Sequence, residues 1–194
     1  MDKSAAKIAV AVIDNRDSFV YNLSRYLEEL EVATTLLEND VEPTSLTEFD
    51  GVLLSPGPGR PEDAGKCIEI VHWAEKEKKP LLGVCLGHQV IAHAYGFEVS
   101  GANQLLHGYR STINHDGTGI FTGIKKNFNG ARYHSLAIKA LQEPLIVTAT
   151  SEDGTIMALA HQTAPILGLQ FHPESVLTEY GHKLLENWIS TFNK

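Results

Sequence analysis

The segment from Gly83 to Gln89 places a cysteine between two glycines in a pattern typical of a reactive thiol. It follows the apolar run Pro80–Leu82 and precedes an apolar-periodic stretch, so it predicts a strand, a sharp turn at Cys85 and a helix. The glycines remove Cβ atoms that would clash where the chain reverses. A helix beginning near Gly87 directs unpaired N–H groups at the sulfur, which favours thiolate. The alternative is a small apolar residue filling space.

A general base for this thiol is suggested by His172, one of nine histidines. It follows the apolar run Ile166–Leu169, and Glu174 lies two residues further on, on the same side of an extended chain. Pro173 fixes its own φ and biases His172 away from helix. A carboxylate on one imidazole nitrogen stabilises imidazolium while the other nitrogen faces a thiol. A structural contact between histidine and glutamate is the alternative, but together with Cys85 the pair predicts a Cys-His-Glu triad.

Acyl transfer also requires donors for a developing oxyanion. The backbone N–H of Leu86, at the predicted start of the helix, is one candidate. The loop Ser55–Gly59 is a second, because its two prolines stiffen it and its two glycines allow close approach of backbone to a ligand. Taken alone, such a loop is usually only a turn.

Composition limits the class of protein. The chain has 194 residues, of which 43% are hydrophobic and 21% charged, so we expect a single domain over residues 1–194, with residues 1–6 flexible. A net charge of −8 argues against nucleic-acid or anionic-membrane partners. Only two cysteines are present and no apolar run approaches the ~20 residues of a membrane span, so we expect a cytoplasmic protein. No cluster has metal-ligand spacing, so neither a metal nor a cofactor is expected in this chain.

In the first half of the chain, apolar runs alternate with helical patterns, which indicates a parallel sheet covered on both faces. After Gly101, shorter segments separated by turn residues indicate antiparallel strands. The predicted fold is α/β: an open, mostly parallel twisted sheet with helices on both faces and a smaller antiparallel region. Strands are predicted at Lys7–Ile13, Ala33–Leu37, Gly51–Ser55, Leu81–Val84, Ala137–Leu141, Leu145–Ser151, Met157–His161 and Ile166–Leu169. Helices are predicted at Ser18–Leu30, at about Ala64–Lys78, from about Gly87, and at about Gly181–Phe192, with turns at Asp116-Gly117, Asn129-Gly130 and Asp153-Gly154.

Four separated motifs together resemble the class I, or triad, glutamine amidotransferases. Two further segments resemble the glutaminase subunits of anthranilate synthase and aminodeoxychorismate synthase in particular. The four motifs are Pro56–Gly59, Gly83–Gln89, Arg132–Leu136 and Gln170–Ser175, and the further segments are Asp14–Asn22 and Leu106–Gly108.

This resemblance implies a flavodoxin-like fold and a role for each matching residue. Cys85 would attack the side-chain amide of L-glutamine, His172 would transfer the proton and Glu174 would orient His172. The backbone of Gly57 and Leu86 would form the oxyanion hole. The positions that match residues holding the substrate glutamine are Gly59, Gln89, Ser135 and Leu136.

The resemblance also implies a larger, chorismate-binding partner subunit that receives the ammonia and requires Mg²⁺, and this chain is too short to contain it. It implies tryptophan or folate biosynthesis without distinguishing them. Two other hypotheses remain: a stand-alone cysteine hydrolase acting on γ-glutamyl amides or peptides, and a catalytically silent regulatory subunit. Gln89 and the segment Tyr133–Leu136, which resemble residues that select glutamine, argue against the first, and the complete set of cysteine, histidine and glutamate argues against the second.

Overall fold

The computed structural model describes residues 7–102 and 108–192. The predictions for residues 1–6 and for Leu106 and His107 lie outside these ranges. Eleven strands are found in the described part of the chain: β1 Ala9–Asp14, β2 Ala33–Glu38, β3 Gly51–Leu54, β4 Leu81–Val84, β5 Val99–Gly101, β6 Tyr109–His115, β7 Asn127–Arg132, β8 Leu136–Ile138, β9 Leu145–Ser151, β10 Ile156–His161 and β11 Ile166–Leu169. The α-helices are α1 Val20–Glu29, α2 Cys67–Glu77, α3 Leu86–Ala94 and α4 Gly181–Ile189.

Nine strands form one sheet in the order β2-β1-β3-β4-β11-β10-β9-β6-β7. The pairings from β2 through β11 are parallel, and those from β11 through β7 are antiparallel. Strands β5 and β8 form a separate antiparallel pair. The predicted α/β fold is therefore confirmed, with the parallel strands in the first half of the chain and β11 added to them from the second.

The helices cover both faces of the sheet because successive side chains of a strand point in opposite directions. In β1, Val10 and Val12 pack in the cluster formed with α1 and α4, whereas Ala11 and Ile13 pack in the cluster formed with α2 and α3. Trp188 of α4 is among the largest fully buried side chains. Two hydrophobic layers thus fix the sheet, and the carboxyl ends of β3, β4 and β11 meet at one edge, where ligands bind in such sheets.

The structure differs from the sequence expectations at two strands and at one helix boundary. Strand β2 is largely exposed rather than buried, because it forms an edge of the sheet. Asn129-Gly130 is not a turn but lies within β7, where a Cβ on Gly130 would sit 2.9 Å from the side chain of Ile113. Gly130 therefore allows the side chain of Ile113 to pack closely against β7. Helix α2 begins at Cys67 rather than Ala64, after a short 3₁₀ turn. Strands β5, β6 and β7 were not predicted.

No helix in residues 7–102 and 108–192 has the length and apolar character needed to cross a lipid bilayer.

Candidate active site

Cys85 lies at the turn between β4 and α3, as the glycine spacing predicted. Its φ of 53° and ψ of −101° are unusual for a residue with a side chain, and such strain is typical of functional sites. A Cβ on Gly83 would be 2.4 Å from the carbonyl of Gly87, and one on Gly87 would be 2.4 Å from the carbonyl oxygen of Leu54. The reversal is therefore possible only because both positions are glycine.

His172 and Glu174 form a short, buried contact after β11. Nδ1 of His172 lies 2.6 Å from Oε1 of Glu174, and the carboxyl group is fully buried. Because a carboxylate only accepts hydrogen bonds, Nδ1 carries the hydrogen and Nε2 is the nitrogen free to exchange a proton. Within the described residues, Nε2 has no hydrogen bond of ordinary geometry to a protein group.

Cys85 interacts with this histidine. Burial alone would lower the pKa of His172, but the negative charge of Cys85 and hydrogen bonding to Cys85 and Glu174 raise the pKa well above its usual value. Contacts between a nucleophile and its base are often loose until substrate binds. The arrangement combines a cysteine with an imidazole that a buried carboxyl group holds, as in proteins whose cysteine is a nucleophile.

The imidazole of His172 is held by its surroundings as well as by Glu174. The rings of Phe19 and Tyr133 lie 5.4 Å and 5.1 Å from it in edge-on geometry. The hydroxyl of Thr178 donates to the carbonyl of His172 over 2.6 Å and accepts from the N–H of Ala131 in β7 over 2.9 Å. The loop that carries the base is therefore fixed to the edge of the sheet.

The two candidate oxyanion donors lie on adjacent segments, one at the start of α3 and one in the loop after β3. Leu86 is the first residue of α3, where backbone N–H groups have no acceptor within the helix. Gly57 packs so closely that a Cβ would be 2.8 Å from the side chain of Leu86 and 2.6 Å from the carbonyl oxygen of Asn15. Asn15 in turn holds Ser55 through hydrogen bonds of 2.9 Å and 3.0 Å. The loop after β3 is thereby fixed beside the turn at Cys85.

A cavity of about 160 Å³ lies beside the sulfur, smaller than a drug-sized pocket and suited to a molecule such as an amino acid. Seven of the nine predicted site residues line it, and His172 and Glu174 do not. The lining residues are Gly57, Pro58, Gly59, Cys85, Leu86, Gln89, Tyr133, His134, Ser135 and Leu136. The structure thus brings the predicted residues together, while the role of each remains a prediction.

Two further histidines near the site are kept neutral. Burial, together with the charge of His134, lowers the pKa of His88 to about 3. Burial also lowers the pKa of His134 to about 4. The hydrogen bond from its Nδ1 to the carbonyl of Leu136, over 2.7 Å, acts in the opposite direction but is the smaller effect. The guanidinium of Arg132, paired with Asp153 over 3.0 Å, contributes to this lowering. His172 is therefore the histidine suited to carry a proton near neutral pH.

A larger groove of about 570 Å³ lies at the opposite edge of the sheet, beside Asp50, Pro80 and Pro165, which precede β3, β4 and β11. No cysteine or histidine is among its lining residues. The smaller cavity is therefore the candidate active site. Among the described residues, no group of three or more His, Cys, Asp and Glu side chains is placed to hold a metal ion.

The sequence assigned no individual role to Phe19, Tyr133 or Gln170, which the structure places around the site. Phe19 and Tyr133 pack on His172, and Gln170 hydrogen-bonds to Gln89. The available signal was that Tyr133 and Gln170 fall inside the motifs. Their contacts with His172 and Gln89 were not evident from the sequence, because they depend on how distant parts of the chain pair in the sheet.

Comparison with known proteins identifies the family. The model of the family "Glutamine amidotransferase class-I" matches residues 11–191. The chain is 48% identical over 188 residues to a Mycobacterium tuberculosis protein named anthranilate synthase component 2, covering 93% of this chain and 81% of that one. It is 44% identical over 191 residues to the aminodeoxychorismate/anthranilate synthase component 2 of Bacillus subtilis, covering 95% and 97%.

A solved structure agrees with these sequences. It is a Thermoplasma acidophilum protein assigned provisionally to a GMP synthase, with a TM-score of 0.88 at 28% identity over 96% of this chain and 94% of that one. The chain therefore belongs to the class I glutamine amidotransferase family, whose members use a cysteine nucleophile, and the resemblance seen in the sequence is confirmed.

Proposed function

We propose that this chain is the glutaminase subunit of a complex that aminates chorismate. It hydrolyses L-glutamine to glutamate and ammonia and passes the ammonia to a larger partner subunit. The observation that carries the proposal is the buried pair of His172 and Glu174, 2.6 Å apart, whose imidazole interacts with Cys85 beside an amino-acid-sized cavity.

In the first half of the reaction, the thiolate of Cys85 attacks the side-chain amide carbon of glutamine. The backbone N–H groups of Gly57 and Leu86 stabilise the oxyanion that forms. As the carbon–nitrogen bond breaks, the imidazolium of His172 gives its proton to the departing nitrogen, and Glu174 stabilises the charged imidazole before that transfer. Ammonia leaves and a γ-glutamyl thioester remains on Cys85.

In the second half, water attacks the thioester carbon, and His172 takes a proton from that water as general base. The carbon–sulfur bond breaks and glutamate is released. Gly59, Gln89, Ser135 and Leu136 hold the substrate in this proposal. Their position on the cavity wall supports this role.

The need for a partner follows from the product. Ammonia in neutral water is protonated and ceases to be a nucleophile, so it must pass directly to the site that uses it. The names of the two relatives, each called a component 2, support the existence of another component. Exposed side chains close to the site also support a subunit that covers it. Val176 is 89% exposed and lies two residues after Glu174. Tyr21 is 67% exposed and lies two residues after Phe19, which packs against His172.

We assign the reaction to the cytoplasm, where a nucleophilic thiol stays reduced. No cofactor is assigned to this chain, and Mg²⁺ belongs to the chorismate chemistry of the partner. The amination product is anthranilate, aminodeoxychorismate or both, depending on the partner.

The test is to assay the purified chain with L-glutamine, alone and with a chorismate-aminating subunit of either type. We expect weak glutamate release alone and a several-fold rise when the partner and chorismate are present, because the partner completes and closes the site. The same mixture should form anthranilate or aminodeoxychorismate from glutamine.

Two outcomes would contradict the proposal. Hydrolysis of γ-glutamyl peptides at the same rate with and without the partner would favour a stand-alone hydrolase. Absence of glutamate release in the assembled complex would favour a regulatory subunit.

A further inference from the structure

Gln170 is a fully buried amide directly after β11, two residues before His172. Its backbone N–H donates to the carbonyl of Met157 over 2.9 Å, which fixes it to the antiparallel part of the sheet. A side chain that is polar and fully buried requires a hydrogen-bond partner, because an unpaired amide in the interior destabilises the fold.

The partner of Gln170 is Gln89, on the helix that begins after Cys85. Nε2 of Gln89 lies 3.0 Å from Oε1 of Gln170 and 3.0 Å from the carbonyl oxygen of Leu136. The carbonyl of Leu136 can only accept, so it determines which end of the Gln89 amide is nitrogen. Both hydrogens of that nitrogen are then used, and Oε1 of Gln89 is left as an acceptor beside the cavity.

The carbonyl of Leu136 also accepts from Nδ1 of His134 over 2.7 Å. Its two lone pairs are therefore both occupied, and the segment that lines one wall of the cavity is held from two sides. Gln170, Gln89, Leu136 and His134 form a continuous chain of hydrogen bonds. These hydrogen bonds connect the segment carrying the base to the helix that follows Cys85 and to the cavity wall.

We propose that Gln170 is a positioning residue for substrate binding: by accepting from Gln89, it fixes the Gln89 amide so that its oxygen is presented to donor groups of the substrate. Those donors belong to the α-ammonium end of L-glutamine, away from the amide that reacts at Cys85. Gln170 itself does not touch the substrate. This inference rests on the proposed glutaminase function.

Loss of the acceptor should therefore weaken glutamine binding without changing the chemistry. In Gln170→Met the amide of Gln89 keeps only its hydrogen bond to Leu136 and is held less firmly, so we expect the KM for L-glutamine to rise about tenfold while kcat stays within about twofold. In Gln170→Glu a side-chain oxygen can still accept from Gln89, so the KM should return to within about threefold of the unaltered protein.

The experiment uses the assembled complex with saturating chorismate and measures kcat and KM for L-glutamine and for glutaramate, which lacks the α-amino group. The fall in kcat/KM of Gln170→Met should be confined to L-glutamine, and glutaramate should change less than about twofold. Gln162→Met is the matched control, because Gln162 is an exposed glutamine beside the groove at the opposite edge of the sheet. Gln170→Asn, which keeps the amide but is too short to reach Gln89, tests the same hydrogen bond if Gln170→Met does not fold.

The inference is overturned if the Met and Glu variants behave alike, if kcat falls with KM unchanged, or if both substrates lose activity equally. The last result would indicate a structural role. Activity of the unaltered complex distinguishes this result from failure of the proposed function. If the unaltered complex does not hydrolyse glutamine, the proposed function is wrong. If it does, and Gln170→Met has the same kinetics, only the positioning role of Gln170 is contradicted.

Discussion

Replacing Cys85 by serine is expected to lower glutamine-dependent amination by the complex by at least about 10³-fold, because the hydroxyl is a far weaker nucleophile at neutral pH than a thiolate. Amination supported by added ammonia should stay within about twofold, since the partner subunit carries out that step. The measurement is the rate of product formation with each nitrogen donor.

Cys67→Ser is the matched control for this substitution. Cys67 is buried at the start of α2, where burial raises the pKa of its thiol to about 12, so it is not a nucleophile at neutral pH. Glutamine-dependent activity should survive in this variant. Loss of both the glutamine and the ammonia reactions in Cys85→Ser would instead indicate that Cys85 is needed for assembly.

Gly83→Ala is expected to damage the turn itself. The new Cβ would sit 2.4 Å from the carbonyl carbon and oxygen of Gly87 and 2.8 Å from the backbone nitrogen of His88, so backbone atoms must move. We expect a loss of about 3 kcal/mol or more in the free energy of unfolding. Glutamine-dependent activity should fall at least about 10²-fold in protein that still folds, because a misplaced nucleophile loses its alignment.

Urea denaturation and the glutamine assay measure these two effects. Gly101→Ala is the control, because no atom lies within 4 Å of a Cβ at that position and its φ is not in the left-handed region. A Gly83→Ala protein with unaltered stability and activity would show that close approach of α3 to β4 does not hold Cys85 in place.

The local parts of this site were predictable from sequence. The turn at Cys85 follows from two glycines between an apolar strand and an apolar helix, and the contact of His172 with Glu174 follows from their spacing of two along an extended chain. The order of strands and helices in the first half followed from alternating apolar patterns, which dominate where a strand is buried on both faces. Whether residues 1–194 act as a single domain stays a prediction.

The non-local parts were not predictable. Strands β6 and β7 alternate weakly and carry polar residues, so their pairing at the edge of the sheet left little signal, and Gly130 resembled a turn residue. Likewise, the hydrogen bonds of Gln89 to Gln170 and Leu136 join segments that become neighbours only when β11 inserts beside β4. Strand β11, which pairs in parallel with β4, therefore brings His172 close to Cys85.

Covalent labelling with a diazoketone analogue of L-glutamine, followed by mass spectrometry of the digested protein, would identify the thiol that attacks the substrate. The sulfur at Cys85 should carry the adduct, L-glutamine should protect it, and Cys67 should stay unmodified until the protein is denatured. An adduct on Cys67, or modification of Cys85 that glutamine does not slow, would contradict the account.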